Sequence, residues 1–182
     1  MLRAFTLFLL LSLLLSYCAR VAPNSQVPPT EDPESYEVYS VILNSFSKQH
    51  AKSMVIRAET KGDEMCLQPE KESKKLIGDA ITNYVRLNGK TWPLQERFNI
   101  EQPYKLMKNA EVEKAIEGKP IFEFYLIELL AVGFNSEKTI AVVYMGYICG
   151  GLCGAGGFHV LQKKDGIWTP LKWKGDSCHW VA

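Results

Sequence analysis

The chain has 182 residues, 47% hydrophobic and 11% aromatic, with 21 basic side chains against 20 acidic ones. That length sets the expectation of one domain with its own core, and the aromatic content excludes a disordered chain. A formal charge of +1 excludes a strongly basic nucleic-acid binder, because neutralising phosphates needs a Lys/Arg excess.

The first twenty residues read MLRAFTLFLLLSLLLSYCAR. Arg3 and the free amine form a short positive region, and Ala4 to Leu15 is apolar apart from Thr6 and Ser12. This run is short for a bilayer span, which needs about 20 residues, and suits a secretory signal. Residues 1–17 are therefore expected to be a signal peptide. Leu15-Ser16-Tyr17-Cys18 resembles a bacterial lipobox, with Cys18 as the lipidated residue, although Tyr17 stands where that pattern has a small side chain. The competing reading is ordinary cleavage after Cys18, with Ser16 and Cys18 as the small residues at the cut. Residues 18–33 are Pro-rich and polar, too poor in apolar surface to order themselves, and read as a tether. The expected membrane contact is an N-terminal lipid anchor. Loss of Arg3 leaves the mature chain formally neutral, so no one-signed stripe is forced on its surface.

A single globular domain is expected over 34–182. Asp32-Pro33-Glu34 is a helix-start signal, and Tyr36, Tyr39, Leu43 and Phe46 place one apolar face on a helix over about 34–48. SMVIRAET, residues 53–60, reads as a strand closed by a Lys61-Gly62-Asp63 turn. A second helix is predicted over about 70–87, stopped by Asn88-Gly89. Residues 90–109, with Pro93 and Pro103, read as irregular, and a short helix is predicted from Ala110 to Glu117.

Beyond Pro120 the chain turns to β-branched and aromatic residues: IFEFYLIELLAVGF, TIAVVYMGYIC, GFHVLQKK and IWTPLKW. Asn135 to Lys138, a glycine-rich segment and the hairpin signal Asp165-Gly166 separate them. The expected class is α+β: N-terminal helices packed on one face of a C-terminal antiparallel β-meander of about four strands.

Five cysteines stand at 18, 66, 149, 153 and 178. With Cys18 assigned to the export signal, an even set remains, and an oxidising compartment makes it a disulfide framework. Four cysteines allow three pairings. The preferred one joins Cys149 to Cys153, worth about 2 kcal/mol in the chain-entropy model, and Cys66 to Cys178, worth roughly 4–5 kcal/mol because its loop is long.

The segment Gly146 to Phe158, GYICGGLCGAGGF, is the most distinctive. Its glycines call for positive φ angles or close approach of another group. With Gly133-Phe134-Asn135, Lys163 to Gly166 and Trp180-Val181-Ala182, it resembles a family of bacterial envelope proteins, often of lipoprotein type, marked by a C-terminal G-Y-x-C-G-G-L-C-G-x-G motif. The resemblance covers about half the chain. It implies an envelope location and brings no activity.

Cys149, Cys153, His159, Cys178 and His179 carry soft-to-borderline metal ligands, but Cys-x3-Cys is looser than zinc-knuckle spacing and export favours disulfides. Thiol–disulfide exchange at Cys149/Cys153 lacks the Cys-x-x-Cys spacing and a helix N-terminus. The glycine segment leads into a strand and holds no basic residue, unlike a phosphate loop. Ser45-Phe46-Ser47-Lys48 matches Ser-x-x-Lys without its companion motifs. Glu123, Glu128 and Glu137 read as edge or solvent-facing acids, and strand alternation places most of Trp168, Trp173, Trp180, Tyr144 and Tyr147 in the core. His50, His159 and His179 are scattered with no nucleophile in an evident activating turn. No catalytic set, metal site or cofactor is assigned. The expected function is a lipid-anchored envelope protein acting as a binding or interaction module. The alternative is a small envelope enzyme or thiol/metal-binding protein centred on Cys149, Cys153 and His159.

Overall fold

The computed structural model describes residues 28–62, 68–176 and 179–182. The expected signal peptide and tether up to residue 27, with Cys18, and also Cys66 and Cys178, lie outside these described residues. Helix α1 (Pro33–Ser47) starts as its sequence predicts: the Asp32 carboxylate accepts from the Glu34 amide at 3.1 Å, with Pro33 in the first turn. Strand β1 (Ser53–Arg57) follows, then the short β2 (Gln68–Pro69) and helix α2 (Lys71–Leu87). Asn88 stops α2 and ties it to the sheet. Its buried side-chain amide donates to the Tyr84 and Ala131 carbonyls, each at 2.9 Å, and accepts from the Ala131 amide at 2.8 Å. Strand β3 (Tyr104–Met107) and helix α3 (Asn109–Ile116) precede β4 (Ile121–Leu129) and the short β5 (Gly133–Phe134). The chain continues through β6 (Ile140–Gly150), β7 (Cys153–Lys164), β8 (Ile167–Pro170), β9 (Gly175–Asp176) and β10 (Trp180–Val181).

The expected four-strand antiparallel meander is too small a picture. Among the described residues the sheet has eight strands, with the main order β10-β7-β6-β4-β1-β3, β5 paired to β6 and β8 to β7. The antiparallel run β4-β6-β7-β8 is the meander; β1 lies parallel to both β3 and β4. Parallel neighbours need crossovers, and α2 and α3 supply the chain length for them. Residues 104–107 were expected to be irregular. They form edge strand β3 because β1, buried along Met54 to Ile56, offers them a free side.

The helices cover both faces of the sheet, not one. On the first face α1 packs Tyr39, Leu43 and Phe46 against Met54, Ile56, Ile127, Val143 and Met145. On the second, α2 packs Ile77, Ala80 and Tyr84 against Val142, Tyr144, Phe158 and Val160, while α3 sets Val112 on Val55 and Leu126. The physical reason lies in β6. Every residue from Ile140 to Gly146 is buried, an unbroken apolar run that only a strand covered on both sides can use. α2 approaches β5 so closely that a Cβ on Gly133 would collide with the backbone at Ala80 and Tyr84.

The glycine-rich segment is not a loop. Gly146 to Gly150 belongs to β6 and Cys153 to Gly157 to β7, leaving Gly151-Leu152 as the hairpin turn. Close approach explains its glycines better than φ does, since within this segment only Gly150 has a positive φ, 155°. The C-terminal edge strand lies on β7, with Trp180 opposite Gly156 and Val181 opposite Ala155. A Cβ on Gly154 would stand 3.1 Å from the Trp180 ring, and one on Gly156 would collide with Trp180 and the Tyr144 hydroxyl. The indole nitrogen donates to that hydroxyl at 2.6 Å. On the opposite face a Cβ on Gly157 would come within 2.8 Å of the His179 ring. The two glycine faces thus seat the successive rings of His179 and Trp180. Asp165-Gly166, with φ of 50° and 80°, makes the predicted tight turn between β7 and β8. No helix among the described residues is long and apolar enough to cross a membrane.

Candidate functional site

Side chains alternate along a strand, so Met145 and Tyr147 of β6 share the α1 face with Ala155, Gly157 and His159 of β7. The register sets Met145 opposite Gly157 and Tyr147 opposite Ala155. Two of these four positions are nearly without side chains, and the sheet is correspondingly hollow there. The C-terminal half of α1 bridges the hollow, leaving a cavity of about 290 Å³. Its interior is Val41, Ile42, Phe46 and Met145 over the floor of Ala155, Gly156 and Gly157. His50, His159 and His179 stand around it with Ser45, Gln49, Tyr147 and Pro170. These are all three histidines of the chain.

Each imidazole is held differently. His50 stacks on Phe46 with centroids 4.0 Å apart, meets Tyr125 and Tyr147 at 5.0 and 5.5 Å, and places Nδ1 2.9 Å from the Phe46 carbonyl oxygen. A carbonyl oxygen only accepts, so Nδ1 carries a proton in this contact. His179 rests on Gly157. His159 projects from β7 beside it. Burial first, and the neighbouring His179 second, push the His159 imidazole down to about 4. The residue is nevertheless exposed, so water screens part of this shift, and its direction, a neutral ring at neutral pH, is what stands. Among the described residues no Asp, Glu, Lys or Arg lines the cavity.

A larger hollow of about 640 Å³ lies between α1, α2 and the β5–β6 turn, lined by Asp32, Asp79, Arg86, Trp92 and Lys138 among others. Size does not make it the better site, because much of its polar wall is already engaged. Lys138 bonds Asp32 at 2.6 Å, Arg86 donates to Asn83 at 2.7 Å, and Asn135 accepts from the Thr139 and Ile140 amides.

Cys149 and Cys153 form a disulfide across the β6–β7 hairpin end, with Cα atoms 5.1 Å apart. His159 sits six residues further along β7, a rise of about 20 Å, and neither cysteine lines the cavity. The strand therefore separates the three residues on which a thiol or metal chemistry would have to converge. Among the described residues no three His, Cys, Asp or Glu side chains are grouped to hold a metal ion. Glu128, expected at an edge or facing solvent, is buried, its carboxylate accepting from Arg57 at 2.9 Å and Lys61 at 3.3 Å. Trp168 is buried in the core as alternation predicts, and its indole donates to Glu34 at 2.8 Å. The meeting of His50, His159 and His179 has no signal in their spacing. It follows from α1 lying across β7 and from a C-terminal strand folding back.

These features define a mixed α/β domain with a histidine-rimmed apolar cavity on one face of its sheet. No family model, curated protein or solved structure matches the chain.

Proposed function

We propose that the protein is an exported, lipid-anchored envelope protein whose folded part is a binding module, with the α1–β7 cavity as its ligand site. The observation that carries the reading is the convergence of three imidazoles on one ring-walled cavity with a glycine floor. Pockets that bind small molecules are mostly apolar with a few convergent polar groups, and about 300 Å³ is their lower range. The apolar segment 1–17, the tether 18–33 and Cys18 as anchor support the address. So does the disulfide between Cys149 and Cys153, a bond favoured outside the cytosol. A second bridge, Cys66 to Cys178, belongs to the same proposal. Its support is the antiparallel pairing of Gln68 with Asp176 and Pro69 with Gly175, since each cysteine follows its ladder outward by two residues.

Ligand-observed NMR on the small-molecule fraction of an envelope extract tests the site. Signals that broaden with the processed chain should stay sharp with Ala155→Leu, which fills the cavity from its floor. Identical spectra for the two proteins would sink the cavity as the binding site. Mass analysis of the mature N-terminus tests the address: a diacylglyceryl-modified Cys18 supports it and an unmodified Ala19 end overturns the anchor. Peptide mapping without reductant should yield a Cys66–Cys178 linked pair.

A further inference from the structure

The apolar space beside β7 continues past the first cavity. A second hollow of about 160 Å³ lies next to it, lined by Phe158, Leu161, Leu171 and Trp173 among others. Ile42, His159 and Pro170 wall both hollows, so the two meet around these three residues. The end of β8 and the residues after it supply Pro170, Leu171 and Trp173. The Leu171 amide donates to the Val160 carbonyl at 2.8 Å, which fastens this segment to β7. Apart from His159, every described side chain lining the second hollow is apolar.

Strand alternation shows how the path runs. Leu161 packs in the core on the α1 side of the sheet, Phe158 and Val160 in the core on the α2 side, because neighbouring residues of a strand point to opposite faces. A hollow lined from both sets lies at the edge of β7 and not on either face. A body that fills both hollows therefore has to be narrow and apolar, and it has to bend at Ile42. A fused ring system does not bend, whereas an alkyl chain turns about its single bonds. The two ends also differ. Ser45 and Gln49, both exposed, stand at the first cavity, while the second ends on half-buried Leu171 and Trp173.

Resting on the cavity reading above, we propose that the ligand is a single-chain lipid. Its alkyl chain runs through the first cavity, past Ile42, into the second hollow, and its polar head stays at the mouth beside Ser45 and Gln49. The first cavity alone stands at the bottom of the size range of small-molecule pockets, about 300 Å³ and upward, and the second hollow extends it. Each methylene withdrawn from water strengthens binding about fourfold. Affinity should therefore climb with chain length for as long as added carbons find room beyond Ile42.

The test titrates the mature chain, residues 18–182, with 1-hexanol, 1-octanol and 1-decanol, and follows it by NMR. Cys18→Ser is included so that no acyl group of the protein's own competes. The His50 ring reports on the first cavity and the Trp173 indole N–H, assigned by its loss in Trp173→Phe, on the second. Affinity should rise about fourfold per methylene, on the order of a hundredfold from hexanol to decanol. Hexanol should move the His50 signals alone, and decanol those of both residues. Leu171→Trp, which fills the second hollow, should hold decanol near the affinity of hexanol, and a dispersed spectrum shows that the variant is folded. Alcohols that bind with less than about a threefold rise along the series, or decanol that leaves Trp173 unmoved, overturn the lipid chain and leave the cavity reading standing. Decanol binding that survives in Ala155→Leu lies elsewhere and overturns both. Silence of both reporters towards all three alcohols overturns the lipid chain, and the extract experiment then judges the cavity by itself.

Discussion

The parallel half of the sheet and its antiparallel half handle polar groups in opposite ways. Around β1, β3 and β4 a buried carboxylate, Glu128, is enclosed by Arg57 and Lys61, and Arg57 reaches on to Glu113 at 3.4 Å and Asn109 at 3.1 Å. On the α1 face of β6 and β7 the titratable groups described around the hollow are three imidazoles and the Tyr147 phenol, with no acid among the described lining residues. The first arrangement is complete within the chain and serves as scaffold. The second surrounds an open hollow, which is why it, and not the larger hollow beside α2, is the candidate site. A protein that must be rigid somewhere and receptive elsewhere gains from separating the two along one sheet.

The comparison breaks most visibly at Arg57. Its side chain and that of Glu128 are 15% and 11% exposed, so removing one partner leaves a largely buried charge. Arg57→Ala should lower stability by about 3–5 kcal/mol in urea unfolding. Replacing both at once, Arg57→Met with Glu128→Leu, should recover most of that loss, because a packed apolar pair of similar volume substitutes for a buried ion pair. A loss below 1 kcal/mol for the single variant would mean that the parallel half is not anchored here.

The disulfide comes next. It closes the end of the hairpin whose middle forms the cavity floor, yet it stands about six residues of strand away from His159. Cys149→Ser combined with Cys153→Ser should reduce stability by about 2 kcal/mol and leave the histidine ring signals in place. Collapse of those signals would show that hairpin closure also shapes the slot, sharpening the division between scaffold and site into a dependence of one on the other.

How much of this was legible beforehand depends on the range of the signal. Asp32-Pro33 marks the start of α1 and Asp165-Gly166 the β7–β8 turn, because a cap and a tight turn are decided by neighbouring residues. The antiparallel run from β4 to β8 is readable for the same reason, through short connections. The pairing of β1 with β3 and β4 is not, since parallel partners lie tens of residues away and carry no local mark. The apolar run Ile140 to Gly146 already announces cover on both faces. Read with its neighbours as a meander, it calls for cover on one face only. Gly154, Gly156 and Gly157 ask for close approach, but what approaches is Trp180 and His179, more than twenty residues later. Positions 50, 159 and 179 share no spacing, so their meeting belongs to tertiary structure alone.

The smallest expected effect tests the site directly. A histidine whose pKa is lower in the folded chain than in the unfolded one binds fewer protons when folded. Stability then rises with pH across the interval between the two values and is fully present above the unfolded value, about 6.5. For His159 that interval opens downward from about 6.5, so the protein should lose stability as pH falls below it. His159→Gln removes this term and leaves every other ionisable side chain the same in both proteins. Thermal midpoints of the two should run parallel above about pH 7 and converge or cross towards about pH 5, the native chain falling faster. Screening at the exposed ring limits the difference to a few tenths of a kcal/mol. His179→Gln should produce part of the same relief, because the neighbouring imidazole is the second cause of the shift. Parallel profiles for all three proteins would mean that the two imidazoles do not sense each other, and the antiparallel half would then lack the property that distinguishes it from the self-compensated cluster around Glu128.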